Sequence, residues 1–295
     1  MDEPTQRDAV PITLGQEIKA YSSTLENARN RIIKARENLQ KLFLGGTAVG
    51  TGLNTHPEFS MSVVKKLREY TGYGLSLAGD FIEKTQFMSD FQALIDCLSS
   101  LALDLIKINN DLMLLSSGPK TGLKEISLPP VEPGSSIMPG KINPSISESV
   151  NMVCFQVIGN RTVIEHAVRS GTMDLNVYTP VIAFNLFNSL EWLKEALRIL
   201  REFCIEGLEA NEEVTIRYFK YSNAVSTLLS PLVGYEAAAK LSEEAVEADV
   251  PISEMAVRRG LVTKDEMDMI LEKATEPNLV VIKEILRRRE INQET

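Results

Sequence analysis

A short loop of small, hydroxyl-bearing and charged residues holds the side chains best suited to chemistry. It reads Gly134-Ser135-Ser136-Ile137-Met138-Pro139-Gly140-Lys141-Ile142-Asn143. A glycine before two serines permits a tight turn and leaves backbone N–H groups free, which is the environment that an activated serine or an oxyanion needs. Lys141 can hold a substrate carboxylate, and Asn143 can add a neutral hydrogen bond. The pattern favours a functional loop, with a packed structural loop as the alternative.

The histidine count excludes several classes of site. The chain contains only His56 and His166, so a histidine-rich metal site cannot be built and a Ser-His-Asp hydrolase is disfavoured. We interpret His56, which lies directly before Pro57, as a turn residue. We interpret His166, which lies on a helix face among apolar residues, as either a packed residue or one at the solvent edge.

The loop connects two long helical patterns. About 30 residues separate the pattern that ends near Leu115 from the one that begins near Ser147, and they are rich in Gly, Ser and Pro. A connection of that length in a compact domain is usually either functional or disordered. Regular apolar residues in this stretch, such as Leu123, Ile126 and Leu128, need a surface to pack on and argue against disorder.

Four long helices are predicted to position this loop. Apolar residues alternate at spacings of three and four over residues 16–42, 91–115 and 186–208, and residues 147–169 show a broader apolar surface. The first of these helices is about 28 residues long, or roughly 42 Å at 1.5 Å per residue. Such lengths predict an all-α fold built on a long-helix bundle, with a purely structural coiled coil as the alternative.

The character of the sequence changes after residue 210. Residues 211–295 show short helices with local signals, such as Thr263 and Glu266 in the spacing of a capping box. We therefore expect a central long-helix domain that carries the loop in residues 1–210 and a small C-terminal helical domain in residues 211–295. The charged tail, residues 283–295, is expected to be an exposed helix end.

Composition and charge narrow the class of protein. The 295 residues (32.7 kDa) are 44% hydrophobic and 24% charged, which is typical of a globular protein. A net charge of -9 and a pI near 5.0 argue against a nucleic-acid partner, and the lack of long apolar runs argues against a membrane protein. The start is acidic and unlike a signal peptide, and Cys97, Cys154 and Cys204 are widely spaced. We expect a cytoplasmic protein with reduced core thiols.

Four segments carry a resemblance to a known family. The runs GSSIMPGKINP, GGTAVGTGLNTHPEF, DAVPITLGQE and KINNDLMLLSSGP resemble the aspartase and class II fumarase superfamily of lyases, and the similarity extends in order over residues 8–271. The resemblance implies an all-α homotetramer whose core is formed by long helices of four subunits. It implies active sites built from three subunits, a small dicarboxylate substrate and no cofactor, with any divalent metal acting as an activator.

The resemblance also assigns roles by motif position. Ser135 corresponds to the base that abstracts the Cβ proton, and Ser136 to a substrate-binding residue. Lys141 and Asn143 correspond to residues that bind a substrate carboxylate and stabilise the aci-carboxylate intermediate. Glu148 matches the acidic residue that orients an active-site histidine in the fumarases.

The chain departs from the family pattern near its start. Thr5 and Gln6 match a substrate-binding Thr-His/Gln pair of the family only if one residue is deleted. Family members begin well before this chain does, so we expect the N-terminal domain to be absent and the chain alone to have little activity. Activity is expected to return when the upstream region is restored or supplied as a second polypeptide.

Two further departures lie in the predicted bundle helices. Met113 and Arg161 occupy positions where the family usually has Arg and Asp. The exchange is consistent with an altered local ion pair.

Several motifs favour one lyase over another. DAVPITLGQE and NDLMLLSSGP look closer to aspartate ammonia-lyases, whereas NTHPEF and the glycine of MPGK look closer to fumarases. We predict a lyase that forms fumarate by anti elimination of ammonia from L-aspartate. The alternatives are reversible hydration of fumarate to L-malate and a catalytically silent, truncated family member with a structural role.

Overall fold

The predicted all-α fold is confirmed. The computed structural model describes residues 8–293, and this part of the chain forms twelve α-helices, one π-helical turn and four strands of two residues each. The α-helices are α1 (Leu14–Leu39), α2 (Phe59–Thr71), α3 (Phe81–Gln86), α4 (Ser89–Leu115), α5 (Ser145–Arg169), α6 (Thr179–Leu200), α7 (Glu212–Tyr221), α8 (Ala224–Val233), α9 (Tyr235–Glu247), α10 (Ile252–Arg258), α11 (Lys264–Glu272) and α12 (Leu279–Gln293). The strands are β1 (Lys41–Leu42), β2 (Ser76–Leu77), β3 (Ile126–Ser127) and β4 (Glu209–Ala210). Across residues 8–293, no helix combines the length and the apolar character needed to cross a membrane.

The four long helices are α1, α4, α5 and α6, as the apolar spacing predicts. α1 ends three residues earlier than predicted, because Lys41 and Leu42 leave the helix and pair in parallel with Ser76 and Leu77. α6 continues into a π-helical turn at Arg201–Ile205, which the apolar spacing does not reveal. A backbone pairing with a distant segment and a widened helical turn both leave the local hydrophobic period intact, so neither is visible in it.

The chain divides into two compact units. The bundle unit contains residues 21–209, and the C-terminal unit contains the described residues up to Ala20 together with those from Ala210 onward. The domain boundaries expected from the sequence stay a prediction.

The bundle unit has α5 at its centre, in contact with both α4 and α6. The predicted apolar stripe of α4 is buried at Leu94, Leu98, Leu101, Leu105, Ile108 and Leu112. Buried polar pairs lie between the same helices: the Asn109 amide donates to Asn151 at 3.0 Å, and the Asn160 amide donates to Ser189 at 3.0 Å. Polar pairs in an apolar interface favour one helix register over its neighbours, because a shifted register would leave them unpaired.

The C-terminal unit has its own apolar core, formed by α8 to α12. The core includes Val225, Leu228, Leu229, Leu241, Ile252, Met267, Ile270, Ile282 and Ile285. The predicted capping box is present, with Thr263 Oγ1 accepting from the Glu266 backbone and Glu266 accepting from the Thr263 backbone. Over residues 283–291 most of the tail is exposed, as expected of a helix end, but Ile285 is fully buried and Arg289 pairs with Glu266.

Candidate active site

The loop at 134–143 lies between α4 and α5, on the bundle unit. It enters α5 through Asn143 and Pro144, and Glu148 lies in the first turn of that helix. Because α5 is the central helix of the bundle, the C-terminal end of the loop is fixed to the most extensively packed element of the unit.

Two hydrogen bonds close the neck of the loop. The Gly134 backbone N–H donates to the Lys141 carbonyl at 2.8 Å, and the Asn143 side-chain amide donates to the Gly134 carbonyl at 3.2 Å. A Cβ atom on Gly134 would lie 2.9 Å from both the Lys141 carbonyl oxygen and the Asn143 nitrogen, so only glycine fits. The glycine predicted to permit a tight turn does so through this close approach.

The Ser135 hydroxyl accepts two backbone hydrogen bonds. The N–H groups of Ile137 and Met138 each donate to Ser135 Oγ at 3.2 Å. Donors aimed at an oxygen stabilise its deprotonated form more than its neutral form. The arrangement therefore lowers the free energy of a serine alkoxide relative to that of a free hydroxyl. The sequence predicts free backbone N–H groups at this turn, but it does not reveal which ones donate, because no side-chain type marks them.

The remaining loop side chains face solvent. Ser136, Lys141 and Glu148 are exposed, and Asn143 is half-buried. The Asn143 side-chain amide has two hydrogens. One is donated to the Gly134 carbonyl, so the other can be donated to a ligand. The structure thus brings Ser135, Ser136, Lys141 and Asn143 together on one loop, with Glu148 just beyond its end. Thr5 and Gln6 lie outside the described residues.

Neither histidine lies on the loop. His56 is exposed in the turn before α2, and its Nδ1 accepts a hydrogen bond from the Glu58 backbone at 3.2 Å, as expected of a turn histidine. His166 is exposed near the C-terminal end of α5. It lies 18 positions from Glu148 on the same helix, which is about 27 Å at 1.5 Å per residue. His166 therefore cannot contact Glu148 of its own chain.

The cysteines have the character expected of core thiols. Cys154 and Cys204 are buried and Cys97 is half-buried, and all three are free. Burial raises the pKa of each thiol, that of Cys154 to about 11. Within residues 8–293, no three His, Cys, Asp or Glu side chains are grouped in a way that could hold a metal ion.

Arg161 and Met113 lie far apart within the chain. Its guanidinium contacts Asp96 on α4 at 2.8 Å and Glu165 on α5 at 2.5 Å. Met113 lies 17 positions along α4 from Asp96, or about 25 Å. The two departures from the family pattern are therefore independent of one another.

Known sequence families match both units. Residues 5–159 match a family described as "Lyase", and residues 225–275 match one described as "Fumarase C C-terminus". The chain belongs to the aspartase and class II fumarase superfamily of lyases.

The superfamily assignment agrees with individual relatives. An aspartate ammonia-lyase of Helicobacter pylori is 43% identical over 266 residues, covering 90% of this chain and 57% of the relative. A class II fumarate hydratase of Listeria monocytogenes is 40% identical over 273 residues, covering 92% of this chain and 60% of the relative. The chain thus spans about three fifths of the length of these curated relatives.

A solved structure of the same superfamily has the same fold. The crystal structure of a fumarate lyase:delta crystallin from Brucella melitensis bound to cobalt has a TM-score of 0.89 and is 38% identical, covering 94% of this chain and 60% of that chain. The fold of this chain is therefore that of a superfamily member.

Proposed function

We propose that this chain carries the catalytic loop of a lyase that forms fumarate by anti elimination, releasing ammonia from L-aspartate. The observation that supports this most directly is the Ser135 hydroxyl, held by two backbone N–H donors on the same loop as Lys141 and Asn143. A hydroxyl is a poor base unless its deprotonated form is stabilised, and these donors supply part of that stabilisation.

The residues act in sequence on the substrate. Ser135 Oγ takes the proton from Cβ, and the electron pair moves into the adjacent carboxylate to form the aci-carboxylate. Lys141, Asn143 and Ser136 bind that carboxylate as its negative charge grows. The electron pair then returns to form the Cα–Cβ double bond, and ammonia leaves from Cα. Groups that bind the intermediate more tightly than the substrate accelerate the reaction, which is the use of a cation and amide donors on this loop.

Aspartate is favoured over malate by the relatives and by Gln6. Seven of the curated relatives compared, at 41–44% identity, are aspartate ammonia-lyases. In the gapped match to the Thr-His/Gln pair of the family, this chain has Gln6 in place of the histidine, which suits an aspartate ammonia-lyase. The match to a class II fumarate hydratase keeps reversible hydration of fumarate as the second candidate.

We further propose that the active form is a homotetramer. Large apolar side chains are exposed along the outer faces of the central helices, including Met152 and Phe155 on α5 and Phe184 and Phe187 on α6. Contiguous exposed apolar surface of this kind is typical of an assembly interface. Light scattering at micromolar concentration is expected to give a tetramer, and a well-behaved monomer of 32.7 kDa would refute this part of the proposal.

The elimination is tested by the absorbance of fumarate, measured with the upstream region restored or supplied as a second polypeptide. We expect absorbance to rise with L-aspartate and not with L-malate. Ser135→Ala should remove most turnover and leave substrate binding largely intact, whereas Lys141→Met should weaken both. Ser149→Ala is the matched control, because this exposed hydroxyl on α5 donates only to the Ser145 carbonyl.

Three results would contradict the proposal. Near-parental turnover by Ser135→Ala would show that the base is a different group. Rapid turnover of malate with none of aspartate would favour the hydratase. Turnover of neither substrate by an otherwise well-folded assembly would favour the silent family member.

A further inference from the structure

The residues that lead into and out of the catalytic loop contact one short segment that follows α6. This segment consists of the π-helical turn Arg201–Ile205 and the residues up to Gly207. A π-helical turn arises when one extra residue is accommodated in a helix, and such turns are found frequently at functional sites. Here the extra residue is retained at the end of a long, otherwise regular helix.

One side of the segment holds the C-terminal end of the loop. Cys204 Sγ lies 3.8 Å from Ser147 Oγ, and both side chains are buried, with exposed fractions of 2% and 0%. Phe203 and Cys204 also line a cavity of only about 10 Å³ together with Asn143. That volume is about the minimum for a single water, so the segment packs closely beneath the residue that closes the neck of the loop.

The other side of the segment holds the N-terminal approach to the loop. A Cβ atom on Gly207 would lie 2.6 Å from Cγ of Pro129, a distance that real Cβ atoms do not reach. The φ angle of Gly207 is not in the left-handed region, so its backbone is compatible with any residue and only the contact with Pro129 requires glycine. The close approach fixes Pro129, which lies five positions before Gly134.

We propose that this segment is a positioning element for the loop, with Cys204 and Gly207 as its positioning residues. The inference rests on the proposed function, because it assigns the segment to the elimination carried out from that loop. A loop held at both ends presents Ser135 at a fixed place, and a base displaced by about 1 Å can lose roughly a hundredfold in rate. Lys141 has a long flexible side chain that can still reach a carboxylate after such a shift, whereas the short Ser135 side chain cannot follow.

The test uses Gly207→Ala in the full chain. With the upstream region restored or supplied as a second polypeptide, we expect kcat for fumarate formation to fall by about a hundredfold while KM changes much less. Hydrogen exchange should become faster at the Gly134, Ile137 and Met138 amides, which are hydrogen-bonded within the loop, and should be unchanged in α4. The matched control is Gly79→Ala, because a Cβ at Gly79 would meet no atom within 4 Å.

A second substitution distinguishes the contact from general instability. Pro129→Ala removes the Cγ atom and leaves a Cβ 3.4 Å from the added methyl group, which is an ordinary contact. Gly207→Ala combined with Pro129→Ala should therefore recover kcat and the slow exchange of the loop. If Gly207→Ala also speeds hydrogen exchange in α4, Cys204→Ala is used instead. Faster exchange in the loop of Cys204→Ala, with exchange in α4 unchanged, then supports the proposal.

The proposal is overturned if Gly207→Ala matches Gly79→Ala in loop exchange, or if the combined variant is no better than Gly207→Ala alone. It is equally overturned if Cys204→Ala, when needed, leaves loop exchange unchanged. The exchange measurements do not depend on turnover. A parent chain that stays inactive when the upstream region is supplied would refute the proposed function, while loop exchange would still decide whether the segment positions the loop.

Discussion

The carboxylate of Glu266 joins three parts of the C-terminal unit. Arg289 on α12 donates to it twice, at 2.7 Å from both Nε and Nη2, and the Thr263 backbone donates at 2.7 Å. Arg289 Nη2 also donates to the Leu261 carbonyl at 2.9 Å. The hydrogen bonds from Arg289, and then that from Thr263, lower the pKa of Glu266 from an ordinary 4.5 to about 2 against the opposing effect of burial. Glu266→Gln keeps the size of the side chain and removes its charge.

The pKa difference sets the magnitude of the expected effect. The interval between 4.5 and about 2, at 1.36 kcal/mol per pH unit, corresponds to about 3 kcal/mol in favour of the folded, ionised form. Because 35% of the Arg289 side chain is exposed, solvent screening reduces this to about 2 kcal/mol. We expect Glu266→Gln to lower the free energy of unfolding of the C-terminal unit by that amount at pH 7. Amides of α11 and α12 should then exchange about thirtyfold faster.

The stabilisation by ionised Glu266 should depend on pH in a characteristic way. The pKa of Glu266 is lower in the folded state than in the unfolded state, so its contribution is complete above about 4.5 and is lost as the pH falls toward 2. The difference in exchange between parent and Glu266→Gln, corrected for intrinsic rates, should therefore be constant from pH 7 to pH 5 and shrink below that.

A matched control separates this ion pair from ordinary surface pairs. Glu284 pairs with Arg288 on α12, with 44% and 59% of the side chains exposed, so Glu284→Gln should cost about 0.5 kcal/mol or less. If Glu266→Gln had no greater effect than Glu284→Gln, or if its effect did not diminish at low pH, the account of Glu266 would be refuted.

Two further predictions concern the bundle unit. A thiol reagent at pH 8 should label half-buried Cys97 first and should label Cys154 and Cys204 only on unfolding. The reason is that burial keeps the Cys154 and Cys204 thiols protonated and inaccessible. Labelling is measured by peptide mass spectrometry, and labelling of Cys154 as fast as that of Cys97 would contradict this prediction. Arg161→Asp should destabilise the chain more than Arg161→Met, because it places a third carboxylate beside the two acidic partners of Arg161. The excess, measured by urea unfolding, should vanish in about 1 M salt, and an excess independent of salt would count against repulsion as its cause.

The sequence predicts the structure well where the apolar residues follow a single helical period. The apolar stripe of α4 is buried as predicted, because residues three and four apart share a helix face and one continuous interface covers them. The tail is predicted only in part, because most of its described residues are exposed but Ile285 and Arg289 pack on the C-terminal unit. Its many charges indicate an exposed segment, but Arg289 is matched by Glu266, which lies 23 positions earlier. A long-range partner of this kind leaves no local pattern.

The site shows the same division between side chains and backbone. The residue types of Ser135, Lys141 and Asn143 are visible in the sequence, and the structure places them on one loop. The Ile137 and Met138 donors and the π-helical turn under the loop are not visible, because both are properties of backbone conformation. Gly207 offers one signal, because it is a glycine at the end of a long apolar stripe. The sequence does not distinguish it from a glycine that simply ends a helix.

The loop itself does not decide between the two eliminations. In the proposed mechanism Ser135 acts on the Cβ proton, and Lys141 and Asn143 act on the carboxylate. These parts of the substrate are the same in aspartate and malate. The leaving groups differ at Cα, where one substrate carries an ammonium and the other a hydroxyl. Discrimination therefore requires groups that face Cα, because uniform binding of the shared part cannot separate the two transition states. The same residues can accordingly serve both lyases, in keeping with the similar identities of 43% and 40% to an aspartate ammonia-lyase and a fumarate hydratase.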